Sequence, residues 1–173
     1  MLAFIITTVM CFVIYLLFTT GSGTDLWLWS WEEIFFGIIL SLITGFVSYK
    51  LLVKKSFRMI NPVRWFYFLI YLFGPWLWGV IVANFDVAYR VITGRIKPGI
   101  VKISPKLKTD LGVTMLANSI TLTPGTLTVD IDEKSNDLYI HWINVDKEAL
   151  KKRPVDCKYV CGGFVNWIRR IAE

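Results

Sequence analysis

Charge is what this sequence has least of. Only 18% of its 173 residues are Asp, Glu, Lys or Arg, where a soluble domain carries about 25%. Histidine occurs once and cysteine three times, which makes no strong disulfide framework, and the Cys157–Cys161 tail offers no other ligands toward the four of a structural zinc site. Charge is missing altogether from Leu2–Thr20 and Trp65–Phe85, and from Ile34–Val53 except for Lys50. A path for protons or sodium needs ionisable side chains inside the membrane, where they are costly and retained for function. These runs therefore exclude a conducting role for the chain itself. No glycine-rich loop precedes a helix with lysine in the phosphate-binding register. The net charge of +6 is too thinly spread for a nucleic-acid groove, so no nucleic-acid partner is expected, and the residues point to no cofactor.

What is present is hydrocarbon. Hydrophobic residues make up 55% of the chain, with eight Trp, seven Tyr and twelve Phe. A bilayer core about 30 Å thick takes roughly 20 apolar residues in a helix, and the three runs have that length. Leu2–Thr20 lacks the basic segment that opens a signal peptide, so a retained first span is expected. The tryptophans of Leu26-Trp27-Leu28-Trp29-Ser30-Trp31 suit a membrane–water boundary. In the second run Gly37, Ser41, Thr44, Gly45 and Ser48 recur at three- and four-residue steps. Small residues so spaced let another helix approach closely, and a partner contact is expected there. The third run carries Gly74-Pro75 at its middle, where proline removes a backbone donor and disfavours helical angles before it. A break is expected at that point, held by neighbouring protein.

Orientation is contradictory. The first loop holds Asp25, Glu32 and Glu33 and no basic residue, whereas Lys50, Lys54, Lys55, Arg58 and Arg64 separate the second and third runs. Positive charge marks the cytoplasmic side, which places residues 50–64 and the amino terminus inside. Yet Arg90, Arg95, Lys97, Lys102, Lys106 and Lys108 follow the third run and mark the cytoplasm too. Either the broken third run folds back at Gly74-Pro75 or the rule fails at one of the two basic segments. The expected localisation is a multi-pass membrane protein with its polar domain on the cytoplasmic side, in contact with the bilayer and with other subunits.

The polar half reads as a small α+β domain, strand-helix-strand-strand-helix, giving a division into residues 1–95 and 96–173. Gly94 stops the preceding helix. Ile100–Ile103 forms a strand, and Thr109 caps a helix to Ile120 that buries Leu111, Met115, Leu116 and Ile120. Thr123-Pro124-Gly125-Thr126 suits a type II turn. Leu127, Val129 and Ile131 alternate with polar residues as a half-buried strand, which Leu138–Asn144 pairs. Phe164, Trp167, Ile168 and Ile171 line a last amphipathic helix. The competing class is a membrane-tethered thiol protein or enzyme using His141, Cys157 and Cys161. His141 has no Ser, Cys or carboxylate at matching spacing, and Cys157-x-x-x-Cys161 reads as ordinary thiols.

The run Leu116-Ala117-Asn118-Ser119-Ile120-Thr121-Leu122-Thr123-Pro124-Gly125-Thr126 resembles the E subunit of Mrp-type sodium/proton antiporters. Lys97–Val101 before it and Leu138–His141 after it fit the same pattern, over roughly residues 1–145. The same subunit recurs in the antiporter-like arms of archaeal membrane-bound hydrogenase and sulfane reductase complexes, and the cysteine tail favours such a relative. The resemblance implies an accessory, non-catalytic subunit of an ion-transporting complex, with no catalytic residues to carry over. In the domain, Asn118, Thr121, Thr123, Pro124 and Gly125 are expected to meet partner subunits, as are Gly74 and Pro75 in the third run.

Overall fold

A computed structural model describes residues 2–21, 28–52 and 61–173. The chain forms two compact units, Met1–Phe57 and Arg58–Glu173. The basic connector residues Lys54, Lys55 and Arg58, and Asp25 in the first loop, lie outside the described residues.

In the first unit, α1 (Leu2–Phe18) and α2 (Trp31–Leu52) pair as a hairpin. Ser30 opens α2 with a reciprocal cap: its hydroxyl accepts from Glu33 N–H, and the Glu33 carboxylate accepts from Ser30 N–H. Two of the donors left over at a helix start are thereby satisfied. The Trp29 indole donates to Leu16 O at 2.9 Å and ties the loop to α1.

The second unit begins with one long helix. Asn61 caps α3 (Pro62–Tyr71), and the chain continues through a π-turn at Leu72–Trp76 into α4 (Leu77–Thr93). The break expected at Gly74-Pro75 is absent: the helix neither ends there nor turns back. The wider turn, in which Leu77 N–H reaches Leu72 O, takes in the proline without ending the ladder. The helix stops at Gly94, left-handed at φ +65°.

Three antiparallel strands follow in the order β1-β3-β2: β1 Gly99–Ile103, β2 Thr126–Asp132 and β3 Asp137–Trp142. Helices α5 (Asp110–Thr121), α6 (Cys157–Cys161) and α7 (Phe164–Ala172) complete the domain. The core gathers Val101, Ile103, Leu116, Ile120, Leu138 and Ile140 with Ile168 and Ile171 of α7, and Tyr71 of α3 joins them. Leu111 is exposed and Val113 buried, so α5 presents a face one step round from the expected one.

The larger correction concerns β2. Leu127 and Val129, expected inside, are 48% and 52% exposed. The helices lie on the other face, where the Thr126 and Thr128 hydroxyls donate to Ile120 O and Ala117 O of α5 at 2.7 and 3.1 Å. An irregularity between Thr128 and Asp130 then shifts the pairing, which brings Ile131 to the inner face opposite Leu138. An added residue of this kind reverses the alternation that a strand pattern assumes.

Candidate subunit interface

Three of the five small residues of α2 are buried within the chain. Gly37 and Gly45 are buried and Ser41 is 3% exposed, while Thr44 is exposed and Ser48 half-buried. A Cβ on Gly37 would meet the Tyr15 ring at 2.6 Å, and one on Gly45 would come within 3.1 Å of the Thr8 backbone. This face therefore holds α1 of the same chain, where the residue pattern led us to expect a neighbouring protein.

The long helix lays a second face on the domain. Arg64 donates to Ile171 O at 2.6 Å, the Tyr71 hydroxyl to Ser119 Oγ at 2.7 Å and the Trp76 indole to Ser119 O at 3.4 Å. Phe164 stands edge-on to Tyr71, with ring centroids 5.8 Å apart, and lies over Gly79, where a Cβ would meet its ring at 2.9 Å. Farther along, Val87 lies against Gly125. In an unbroken α-helix, 26 steps of about 100° would swing Arg90 roughly 80° away from Arg64. The extra residue of the π-turn brings the two back to within about 20°. Gly74 itself is exposed with no neighbour near its absent Cβ, and Pro75 is half-buried.

At the far end of this helix Asp86 accepts from Arg90 at 2.7 and 2.8 Å, so its partner is in the same helix. A polar cleft of about 480 Å³ opens beside them, lined by Asp86, Arg90, Lys97, Asn144, Asp146 and Lys147 among others.

The threonines around Pro124-Gly125 close the α5–β2 corner. Thr123 donates to Ser119 O at 2.7 Å, and Thr121 Oγ1 accepts from Thr128 N–H at 3.2 Å. Gly125 supplies φ +88°, the left-handed residue that a type II turn requires. Asn118, Thr121 and Leu122 face outward, whereas Thr123, Pro124 and Gly125 are half-buried. On the sheet face turned away from the helices, His141 sits in register between Ile100 and Leu127. Together with Val129 these make an apolar patch. Sequence pattern alone hides it, because alternation in β2 assigns Leu127 and Val129 to the core.

Cys157 and Cys161 are free thiols one turn apart on α6, and Cys11 is free in α1. The hydrogen bond between the two α6 thiols lowers the pKa of Cys157 and raises that of Cys161, which burial raises further. Among the described residues no three His, Cys, Asp or Glu side chains converge as metal ligands would.

Comparison with known proteins accords with this arrangement. A solved chain of the membrane-bound sulfane sulfur reductase, an archaeal respiratory membrane complex, superposes with a TM-score of 0.77 at 34% identity, over 98% of both chains. The E subunit of the Na(+)/H(+) antiporter of Alkalihalophilus pseudofirmus is 36% identical over 115 residues, 65% of this chain and 66% of that protein. The E1 subunit of a Staphylococcus aureus Na(+)/H(+) antiporter is 32% identical over 133 residues, 76% and 77% of the two chains. The model of the Na+/H+ ion antiporter subunit family matches residues 8–159, from the middle of α1 into α6, and the chain belongs to that family.

Proposed function

We propose that this chain is an accessory, non-catalytic membrane subunit of a multi-subunit Na+/H+ antiporter, or of the antiporter-like module of a respiratory complex. The observation that carries the reading is the full-length likeness to a chain of the archaeal sulfane sulfur reductase. The apolar runs agree with it, since they hold no carboxylate or histidine with which to pass a cation along. Helices α1 and α2 form the membrane anchor, and the α+β domain braces neighbouring subunits. Docking falls to the sheet patch of Ile100, Leu127 and Val129 and to the corner of Asn118 and Thr121, with Thr123, Pro124 and Gly125 shaping that corner. Match over the whole length, cysteine tail included, favours a respiratory complex of the sulfane reductase type.

The test is gentle solubilisation of the host membrane followed by native electrophoresis. The chain should migrate within a large complex, and that complex should disassemble or lose sodium-dependent proton exchange when the chain is deleted. Migration at about 20 kDa, or exchange by the purified chain alone in liposomes, would refute the proposal.

A further inference from the structure

We infer that the helix from Pro62 to Thr93 does not cross the membrane but lies along its surface, with one apolar ridge sunk among the lipid headgroups and upper acyl chains. This inference concerns the bilayer alone and is independent of which complex holds the chain.

The first ground is the domain's position along the helix. Contacts run from Arg64 at Ile171, through Tyr71 and Trp76 at Ser119 and Gly79 at Phe164, to Val87 at Gly125. From Arg64 to Val87 the helix rises about 35 Å, which exceeds the roughly 30 Å hydrocarbon core. A crossing helix would therefore carry the domain into the core beside it. Residues 86–173 hold fourteen basic and ten acidic side chains. Each charge at mid-bilayer costs about 2.5–3.5 kcal/mol even on the lenient insertion scale. Charged groups also flank the contact zone, with the Arg169–Glu173 ion pair spanning Ile171, where Arg64 docks, and Lys97, Asp146 and Lys147 lining the cleft beside Arg90.

The second ground is the opposite face. Phe66, Phe73, Trp78 and Phe85 project from it at 63–74% exposure, and no charged residue lies between Trp65 and Phe85. An aromatic ridge backed by a polar body is the form of a helix that lies in the interface plane. The third ground is the charge conflict in the sequence. If the helix stays on one side, the basic segments 50–64 and 90–108 both face the cytoplasm, and the positive-inside rule holds at each. Lipid is thus the occupant that the ridge and its basic flanks fit, with anionic headgroups the natural counter-charge.

Sidedness tests this directly in the full chain within its membrane. A site-specific protease sequence is inserted either in the loop between α1 and α2 or in the exposed turn at Glu133–Ser135, and sealed vesicles of known orientation are treated with the protease. With the helix on the surface, the two sites lie on opposite sides, so each vesicle orientation exposes only one. Cleavage of both in the same vesicles would overturn the inference. A second measurement does not depend on the insertions. A fluorescent amino acid placed at Phe66, Phe73 or Phe85 is quenched by lipids brominated at shallow or deep acyl positions. A helix lying flat gives all three positions one shallow profile. Phe66 and Phe85 stand about 28 Å apart along the axis, so a crossing helix would make Phe73 distinctly deeper. That result, or no quenching by any lipid because protein covers the ridge, would overturn the inference.

Discussion

Gly79 and Phe164 provide a sharp test of the contact between helix and domain. A methyl group on Gly79 would stand 2.9 Å from Phe164 Cζ, closer than side-chain carbons pack. The Phe164 ring has little room to retreat, being buried edge-on against Tyr71. Gly79→Ala therefore combines an overpacking cost of about 1–3 kcal/mol with a gain of about 1 kcal/mol from replacing glycine inside a helix. Its net effect is neutral to destabilising by about 2 kcal/mol. Phe164→Ala alone should cost about 3–5 kcal/mol, as large-to-small changes in a core do. In that background the clash disappears and the methyl group enters the vacated space, so Gly79→Ala should become stabilising by about 1 kcal/mol. For a unit of this size that is about 4 °C in Tm. Thermal unfolding of the four variants in detergent, followed by near-UV circular dichroism, measures the coupling. A Gly79→Ala effect of the same sign and size in both backgrounds would refute the packing argument, because residues out of contact add independently.

Three further outcomes follow from the geometry. Tyr15→Ala should rescue Gly37→Ala, since the obstacle there is a side chain; no single truncation should rescue Gly45→Leu, whose obstacle includes the Thr8 backbone. Retention of subunits through an affinity tag reads both out. Asp137 is held below the ordinary carboxylate range by a hydrogen bond from Ser104 and then by Lys102, whose Nζ lies 2.9 Å away. Its contribution is therefore complete above the unfolded value of about 3.9 and fades as pH falls through the lower folded value. Wild type should lose Tm across that acid interval, and Asp137→Asn, less stable near neutral pH, should lose less; parallel curves would count against the pairing. Leu127→Lys with Val129→Lys should change the domain's stability by no more than about 0.5 kcal/mol each, as exposed substitutions do. The same pair should abolish association with partner subunits, and unchanged assembly would clear that face of the role.

Much of the fold was legible from local rules. The Thr109 cap, the Gly94 stop, the Pro124-Gly125 turn and the amphipathic stripe of α7 all depend on neighbours in sequence, and each lies where those rules put it. The failures came where tertiary packing decides. Alternation in Thr126–Asp132 cannot reveal which side of a sheet the helices will cover, and threonines bonded to α5 carbonyls took the inner positions. Proline chemistry announced a break at Pro75 but not its absorption into a wider turn. The stripe of small residues in α2 was visible as a contact face, yet nothing in it distinguishes a helix of the same chain from one of another. At the proposed docking corner, the Pro124-Gly125 turn was legible from its own residues. The Ile100–Leu127–Val129 patch emerges only when three strands are set in register.

The five residues Leu72–Trp76 act as a phase adjuster, and that sets which length changes the helix tolerates. Removing Pro75 would take away one residue and the ring together, closing a regular ladder through this segment. Everything downstream would keep its phase: about 25 regular steps from Arg64 to Arg90 fall within about 20° of whole turns, so Gly79 and Val87 would still face Phe164 and Gly125. Adding one residue to that regular ladder between Tyr71 and Gly79 would instead turn them away by about 100°. The chain's grip on its own domain thus depends on the wider turn taking up its one surplus residue.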